Sequence, residues 1–264
     1  MKYNNDKFYE IIRNHKDGKS EKKLLVVLSG SGISKESGIP TFRDSVDGLW
    51  ENFNVEEVAT DKAMKNEPEK VHDFCNILRN KYVKCEPNDA HKLLADLEKY
   101  YDVVIITQNV DNLHEKAGSS NVLHLHGNLM QCRDSGNPDY LFDVPVDENG
   151  EYNTHKGMVI EGHPVRPHIV LFGEDVPNIT VAQKIARVAD IAIIVGTSLA
   201  VYPAAGLVGE IEYGLPVYYI DPQPCVDYVI YGDFNIVKKP ATEGMKEVND
   251  KLIPVADKKE DGEQ

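Results

Sequence analysis

Cysteine is scarce in this sequence of 264 residues: there are four, Cys75, Cys85, Cys132 and Cys225, and no two of them form a Cys-x-x-Cys pair. That absence excludes the usual structural zinc knuckle and the dithiol redox motif, and the wide spacing fits reduced thiols in a cytoplasmic protein. Long apolar runs are missing too. None approaches the roughly 18 residues of a membrane-spanning helix, and Met1 to Ser20 lack the apolar core of a signal peptide, so a soluble, unexported protein is expected. Positive charge is in deficit, with 29 Lys plus Arg against 43 Asp plus Glu and a net charge of -14. Such a surface repels phosphate backbones and anionic lipid head groups, which argues against nucleic acid and membrane partners. A small anionic cofactor stays compatible, because clustered backbone N–H groups bind phosphate whatever the exterior charge, and an acidic exterior suits a basic peptide. Internal repeats and low-complexity tracts are absent. A hydrophobic content of 41% with 27% charged residues excludes a fibrous or wholly disordered chain.

What is present is an alternation of apolar runs and helical patterns. Leu24 to Leu28, Val103 to Ile106, Ile191 to Val195 and Val217 to Ile220 read as strands buried on both faces, the mark of a parallel sheet. Helical spacing is found in Lys7 to Asn14, Ala90 to Tyr100, Thr180 to Ala189 and Pro203 to Tyr213. This order predicts an α/β fold with a Rossmann-like, doubly wound parallel sheet. Asp44 to Asp89 and Asn128 to Pro167 interrupt the alternation and are too long for loops, so they are expected to form a smaller module, the second built of turns, short strands and a hairpin. The tail over 257–264 is charged and expected to be disordered.

The first strand runs into Ser29-Gly30-Ser31-Gly32-Ile33-Ser34, where a tight turn can bring N–H groups to a pyrophosphate. The third glycine of the dehydrogenase fingerprint is missing, and no acidic residue follows a second strand at the usual distance, which disfavours a hydride-transfer enzyme. Ser37-Gly38-Ile39-Pro40-Thr41-Phe42-Arg43 comes next, and with it the chain resembles the sirtuins, NAD-dependent protein lysine deacylases. That family has Gly-Ala-Gly-x-Ser followed by Ser-Gly-Ile-Pro-x-Phe-Arg, and this chain departs only at Ser31. Thr107-Gln108-Asn109-Val110-Asp111-Asn112-Leu113-His114, Leu125-His126-Gly127, Arg166-Pro167-His168-Ile169-Val170-Leu171-Phe172-Gly173-Glu174 and Gly196-Thr197-Ser198-Leu199 through Val201 and Pro203 resemble further family blocks in the same order.

The resemblance implies a single catalytic domain over 1–264. A Rossmann-like core would occupy about 20–43, 90–127 and 168–250, and a small module about 44–89 and 128–167. It implies attack of an acyl-lysine carbonyl on the nicotinamide ribose of NAD, release of nicotinamide and transfer of the acyl group to ADP-ribose. His126 is then the general base that deprotonates a ribose hydroxyl, a task suited to an imidazole at neutral pH. Asn109 and Asp111 would hold the nicotinamide ribose and carboxamide. Gly30, Ser31, Gly32, Ser34, Thr41, Phe42, Arg43, Gln108, Gly196, Thr197, Ser198, Asp221 and Ala241 complete the implied cofactor contacts, with Phe42 shielding the reaction centre and Asp221 standing where asparagine is commoner. Val170, Phe172 and Gly173 would line the acyl-lysine tunnel and pair with the peptide as an added strand. His114, His124 and His168 keep a structural reading.

Two departures from the family matter. Most sirtuins hold zinc through two Cys-x-x-Cys pairs, whereas this chain has Cys132 alone in the corresponding module, with Asp134 nearby, so it resembles a zinc-free bacterial-type subset and no structural metal is expected. The spacing of His155 and His163 matches no metal site. Members that remove acidic acyl groups carry a Tyr-x-x-Arg pair, where this chain aligns Cys75 and Leu78, with Arg79 one position on; acetyl or longer apolar groups are expected instead. A protein ADP-ribosyltransferase or NAD glycohydrolase would keep the same NAD site, and a non-catalytic NAD-binding module is a third reading, disfavoured by the intact Asn109, Asp111 and His126. A monomer is expected.

Overall fold

The computed structural model describes residues 5–41, 54–225 and 234–254. Its elements in chain order are α1 (Asp6–Lys16), β1 (Leu24–Ser29), α2 (Val55–Val58), α3 (Asp61–Asn66), α4 (Pro68–Tyr82), α5 (Asp89–Asp96), β2 (Asp102–Thr107), α6 (Leu113–Lys116), β3 (Val122–His124), β4 (Gly127–Asp134), β5 (Leu141–Asp143), β6 (Val159–Ile160), β7 (His163–Ile169), α7 (Ile179–Ala186), β8 (Ile191–Val195), β9 (Val217–Ile220), β10 (Phe234–Val237) and α8 (Ala241–Leu252), with short 3-10 turns between some of them.

Every residue of β1 is buried, and the alternation of its side chains divides the core into two layers. Leu24, Val26 and Leu28 meet Val104, Ile106, Ala192 and Ile194 on one face, under Phe8 and Ile12 of α1 and Val181 and Ile185 of α7. Leu25 and Val27 meet Val103, Ile105, Ile191 and Ile193 on the other, under Leu94 of α5 and Met245 and Val248 of α8. Each such aliphatic side chain contributes roughly 2 kcal/mol by leaving water.

The parallel sheet has the order β10-β9-β8-β1-β2-β3. Ser29, the last residue of β1, lies opposite Thr107 of β2 on one side and Val195 of β8 on the other. The chain therefore winds away from β1 in both directions, and the loops after β1 and β8 meet at the switch point at the carboxyl ends of the strands, where open α/β sheets bind ligands in a crevice.

A second, antiparallel sheet of order β5-β4-β7-β6 arises from the second interruption, and the first supplies α2, α3 and α4, whose Val58, Ala63, Val71, Phe74, Cys75 and Leu78 share a core with Leu113, Leu129 and Leu171. The segment expected as a helix from Pro203 to Tyr213 is a 3-10 helix over Ala204–Glu210; Gly206 and Gly209 weaken the α-helical preference there. The pattern from Ala90 to Tyr100 divides into α5 and a 3-10 turn at Leu97–Lys99.

Candidate active site

The floor of the crevice is three glycines in backbone contact. Gly32 N–H donates to Gly196 O at 2.8 Å and Gly30 N–H to Val195 O at 3.1 Å. A Cβ on Gly32 would stand 2.7 Å from Gly196 Cα, and one on Gly196, whose φ is +61°, would stand 2.2 Å from Ile33 N. Only glycine lets the two loops touch. Ser31 and Ser198 lie partly exposed at the rim, beside buried Thr197. Asn88 fastens the first loop from behind, donating to Ile33 O at 2.7 Å and Ser37 Oγ at 3.0 Å.

Buried polar groups converge above this floor, an arrangement that costs stability unless each is bonded. Asn109 Nδ2 donates to Ser34 Oγ at 3.2 Å, and Ser34 Oγ donates to Asp111 Oδ2 at 3.0 Å. Asp111 Oδ1 accepts from Leu113 N–H at 3.1 Å. Burial raises the Asp111 pKa, against the lowering by these donors. Gln108 Nε2 donates to Thr197 Oγ1 at 3.0 Å, tying the loop after β2 to the loop after β8. The set offers an amide, a carboxylate and hydroxyls on one dry wall, which suits ribose hydroxyls and a carboxamide, and the glycine floor suits a close pyrophosphate, so the residues fit a nicotinamide dinucleotide.

His126 lies beside this wall, with Nδ1 3.0 Å from Gln108 O. A carbonyl only accepts, so Nδ1 carries the proton and Nε2 presents a lone pair. Burial lowers the His126 pKa, more than the Gln108 carbonyl raises it, so the imidazole is neutral at pH 7 and competent as a base. Val170 N–H donates to His126 O at 2.9 Å, which sets the Val170 to Gly173 segment beside it.

The main chain of Phe172 departs from expectation. Its N–H donates to Ala59 O at 2.9 Å and its C=O accepts from Asp61 N–H at 3.0 Å, a parallel bridge to Thr60. Both main-chain groups of Phe172 are thus used within the fold, and its side chain is left 50% exposed. Gly173 has φ +92°. Glu174 clamps the segment: its carboxylate accepts from Arg166 at 2.6 Å, Arg133 at 3.0 Å and Leu171 N–H at 2.9 Å.

Asp221 follows β9, and its Oδ1 accepts from Gln223 N–H at 2.8 Å. Ala241 is buried at the start of α8, where Glu36 grips Thr242 through N–H and hydroxyl at 3.0 and 2.6 Å. Thr41 ends the first described segment, and Phe42 and Arg43 lie outside the described residues. Cys132 is packed with Phe142, Val144 and Val165, and burial raises its thiol pKa to about 11. Asp134 accepts instead from Gly136 N–H, Asn137 N–H and His163 Nδ1 at 2.7, 2.6 and 2.8 Å, and His163 stacks on Tyr140 with ring centroids 5.1 Å apart. One neutral thiol does not make a tetrahedral zinc site.

Several contributors escape sequence reading. Ser29 Oγ donates to Thr107 Oγ1 and meets His114 Nε2, each at 2.9 Å, and Thr107 Oγ1 in turn accepts from Asn109 N–H at 3.0 Å. His124 bonds Asn109 O and Glu115. Its place two residues before His126 was the available signal.

A switch-point crevice walled by buried amide, carboxylate and hydroxyl groups defines a doubly wound, dinucleotide-type α/β protein. Comparison with known proteins narrows this. The Sir2 family model matches residues 30–203. An NAD-dependent protein deacylase of Bacteroides thetaiotaomicron is 47% identical over 236 residues, 88% of this chain and 99% of that protein. One from Helicobacter pylori is 45% identical, covering 89% and 99%. A Sir2 homolog solved with NAD superimposes with a TM-score of 0.74 at 33% identity, covering 95% of each chain. A mutant Sir2 homologue with ADP-ribose gives 0.75 at 34% identity, covering 94% of this chain and 96% of that one. The chain belongs to the Sir2 family.

Proposed function

We propose that this protein is an NAD-dependent protein lysine deacylase acting on uncharged acyl groups, acetyl first among them. The observation that carries the reading is His126, held in one tautomer by Gln108 beside the Ser34, Asn109 and Asp111 wall. The relatives named as deacylases and the neighbours solved with NAD and ADP-ribose support it.

NAD supplies an electrophilic ribose carbon with nicotinamide as its leaving group. Gly30, Gly32 and Gly196, whose own N–H groups are bonded within the fold, shape the floor beneath the phosphates, and the hydroxyl groups of Ser31, Thr197 and Ser198 would hold the phosphates and adjoining ribose. Asn109 and Asp111 orient the nicotinamide half. Val170, Gly173 and the Phe172 ring receive the acyl-lysine and keep water from the reacting atoms. His126 Nε2 takes the proton of a ribose hydroxyl, and its Nδ1–H, fixed on Gln108 O, keeps the ring from turning as that proton arrives.

The preference for uncharged acyl groups rests on the first insertion. Cys75 and Leu78 are buried among apolar neighbours, and Arg79 is buried too, donating to Leu129 O and, at 2.8 and 2.9 Å, to Asn76 Oδ1 and Tyr152 O. Three of its N–H bonds are thereby turned to the small module. We take the protein to be monomeric, cytoplasmic and free of structural zinc, in keeping with its free cysteines at Cys75, Cys85, Cys132 and Cys225. Among the described residues no helix is long and apolar enough to cross a membrane.

Mass spectrometry of all products from an acetyl-lysine peptide and NAD tests the proposal. Equal yields of nicotinamide, free lysine peptide and acetyl-ADP-ribose are expected. Nicotinamide released with the peptide still acetylated, or carrying ADP-ribose, would overturn it.

A further inference from the structure

His124 sits at the end of β3, opposite Thr107 in the sheet, and its side chain is almost closed off from solvent at 11% exposure. Both ring nitrogens are used. Nδ1 is 3.0 Å from Asn109 O, and Nε2 is 2.7 Å from Glu115 Oε1. Both partners accept, so both bonds require an N–H, and only the imidazolium has two. The ring is also tethered through its own main chain, where His124 O accepts from Asn178 Nδ2 at 2.7 Å. His126, two residues on, makes the same kind of bond to the neighbouring carbonyl, that of Gln108, but its Nε2 is bonded by no described residue. Two histidines thus read consecutive carbonyls of one loop, one left able to take a proton and the other not.

We infer that His124 is a positioning residue for the reaction: as an imidazolium it joins the Glu115 carboxylate to the Asn109 carbonyl, fixes the Asn109 and Asp111 loop for the nicotinamide half of NAD, and releases that loop on deprotonation. The inference rests on the deacylase reading only for the activity it modulates. When His124 is neutral its one remaining proton goes to the stronger acceptor, the carboxylate, and Nδ1 then sets a lone pair against Asn109 O. The charged groups around the ring favour the charged form together. Burial lowers the His124 pKa, but the Glu115 bond and charge, the Asn109 carbonyl and Asp111 raise it, and the net direction is upward. His114 and His168, which also face it, are held neutral by burial, and Lys7 acts on Glu115 from α1.

The activity profile is therefore a bell: an acid limb from His126 and an alkaline limb from His124, falling toward tenfold per pH unit. NMR titration of the histidine side chains without NAD, in wild type and Glu115→Gln, gives a readout apart from turnover. His124 is expected to titrate above the ordinary range in wild type and about one unit or more lower in the variant. The alkaline limb of kcat should move with it, and the acid limb should stay. His124→Gln, which has one donor nitrogen in place of two and no titrating charge, should lose roughly tenfold or more in kcat and lose the alkaline limb. An alkaline limb that stays in place while the His124 titration moves, or that survives in His124→Gln, overturns the inference, as does a His124 that titrates below the ordinary value. A wild type inactive at every pH would count against the deacylase reading, leaving the NMR titration to judge His124 alone.

Discussion

Gly127 and His168 are in backbone contact: a Cβ built on Gly127 would stand 2.0 Å from His168 O, and Gly127 has φ +88°. The glycine after His126 thus pairs with Ile169 at one end of the β4–β7 ladder, and the Val170 N–H bond to His126 O lies next to it. His126 and the Val170 to Gly173 segment are set by one stretch of backbone contact.

Gly127→Ala is accordingly expected to separate the two. Left-handed backbone strain alone costs about 1–3 kcal/mol, and the clash adds to it. Denaturant unfolding should show a loss of at least that size, and deacylation should fall further than the folded fraction does, because Val170 no longer seats on His126. A variant with full stability and full activity would refute this.

Glu174→Gln tests the clamp on the Val170 to Gly173 segment. Two guanidiniums and an N–H group share this carboxylate, whose side chain is 15% exposed, and removing the charge leaves Arg133 and Arg166 confined without a counterion. Such a loss costs about 3 kcal/mol. The expected kinetic sign is a higher KM for acyl peptide with a smaller change in KM for NAD.

The core of the sheet was legible and its edges were not. β1, β2, β8 and β9 are buried on both faces, so their sequences are continuous apolar runs that announce themselves. The edge strands β3 and β10 span only Val122–His124 and Phe234–Val237; they exist because a neighbour offers a ladder, which no local pattern records. The antiparallel sheet of the second interruption read as turns with short strands for the same reason. Gly30, Gly32, Asn109, Asp111 and His126, singled out by spacing and family blocks, are brought together at the ends of β1, β2 and β3. The roles of Glu115, His124 and Glu36 were not legible, since a charged residue bonded across the fold has the same local sequence as one in solvent. The main-chain bonds of Phe172 to Ala59 and Asp61, far off in sequence, leave no local pattern either.

Acid should destabilise the protein in a definite window. Burial lowers the pKa of His91 to about 4, of His72 to about 4 and of His168 to about 3, against about 6.5 in the unfolded chain. Below 6.5 the unfolded state binds more protons than the folded one, so stability is full above that value and declines as pH falls toward 4 and 3. His91 is fully buried, and neither ring nitrogen has a partner among the described residues. Urea midpoints between pH 7 and 4 should therefore fall, and His91→Leu should flatten part of the slope. An unchanged slope would exclude His91 as a contributor.

Metal removal should do nothing to the fold. A chelator is expected to leave the Tm unchanged, whereas Asp134→Ala, which strips the acceptor from Gly136, Asn137 and His163, should lower it. A Tm that drops with chelator would reveal a structural metal.

The most direct measurement is acetyl loss from an acetyl-lysine peptide, with and without NAD, by wild type and His126→Ala, with NAD binding followed in parallel. The account predicts NAD-dependent deacetylation by the wild type, its loss by on the order of a hundredfold or more in His126→Ala, and little change in NAD affinity. Deacetylation that persists in His126→Ala, or that proceeds without NAD, would contradict it.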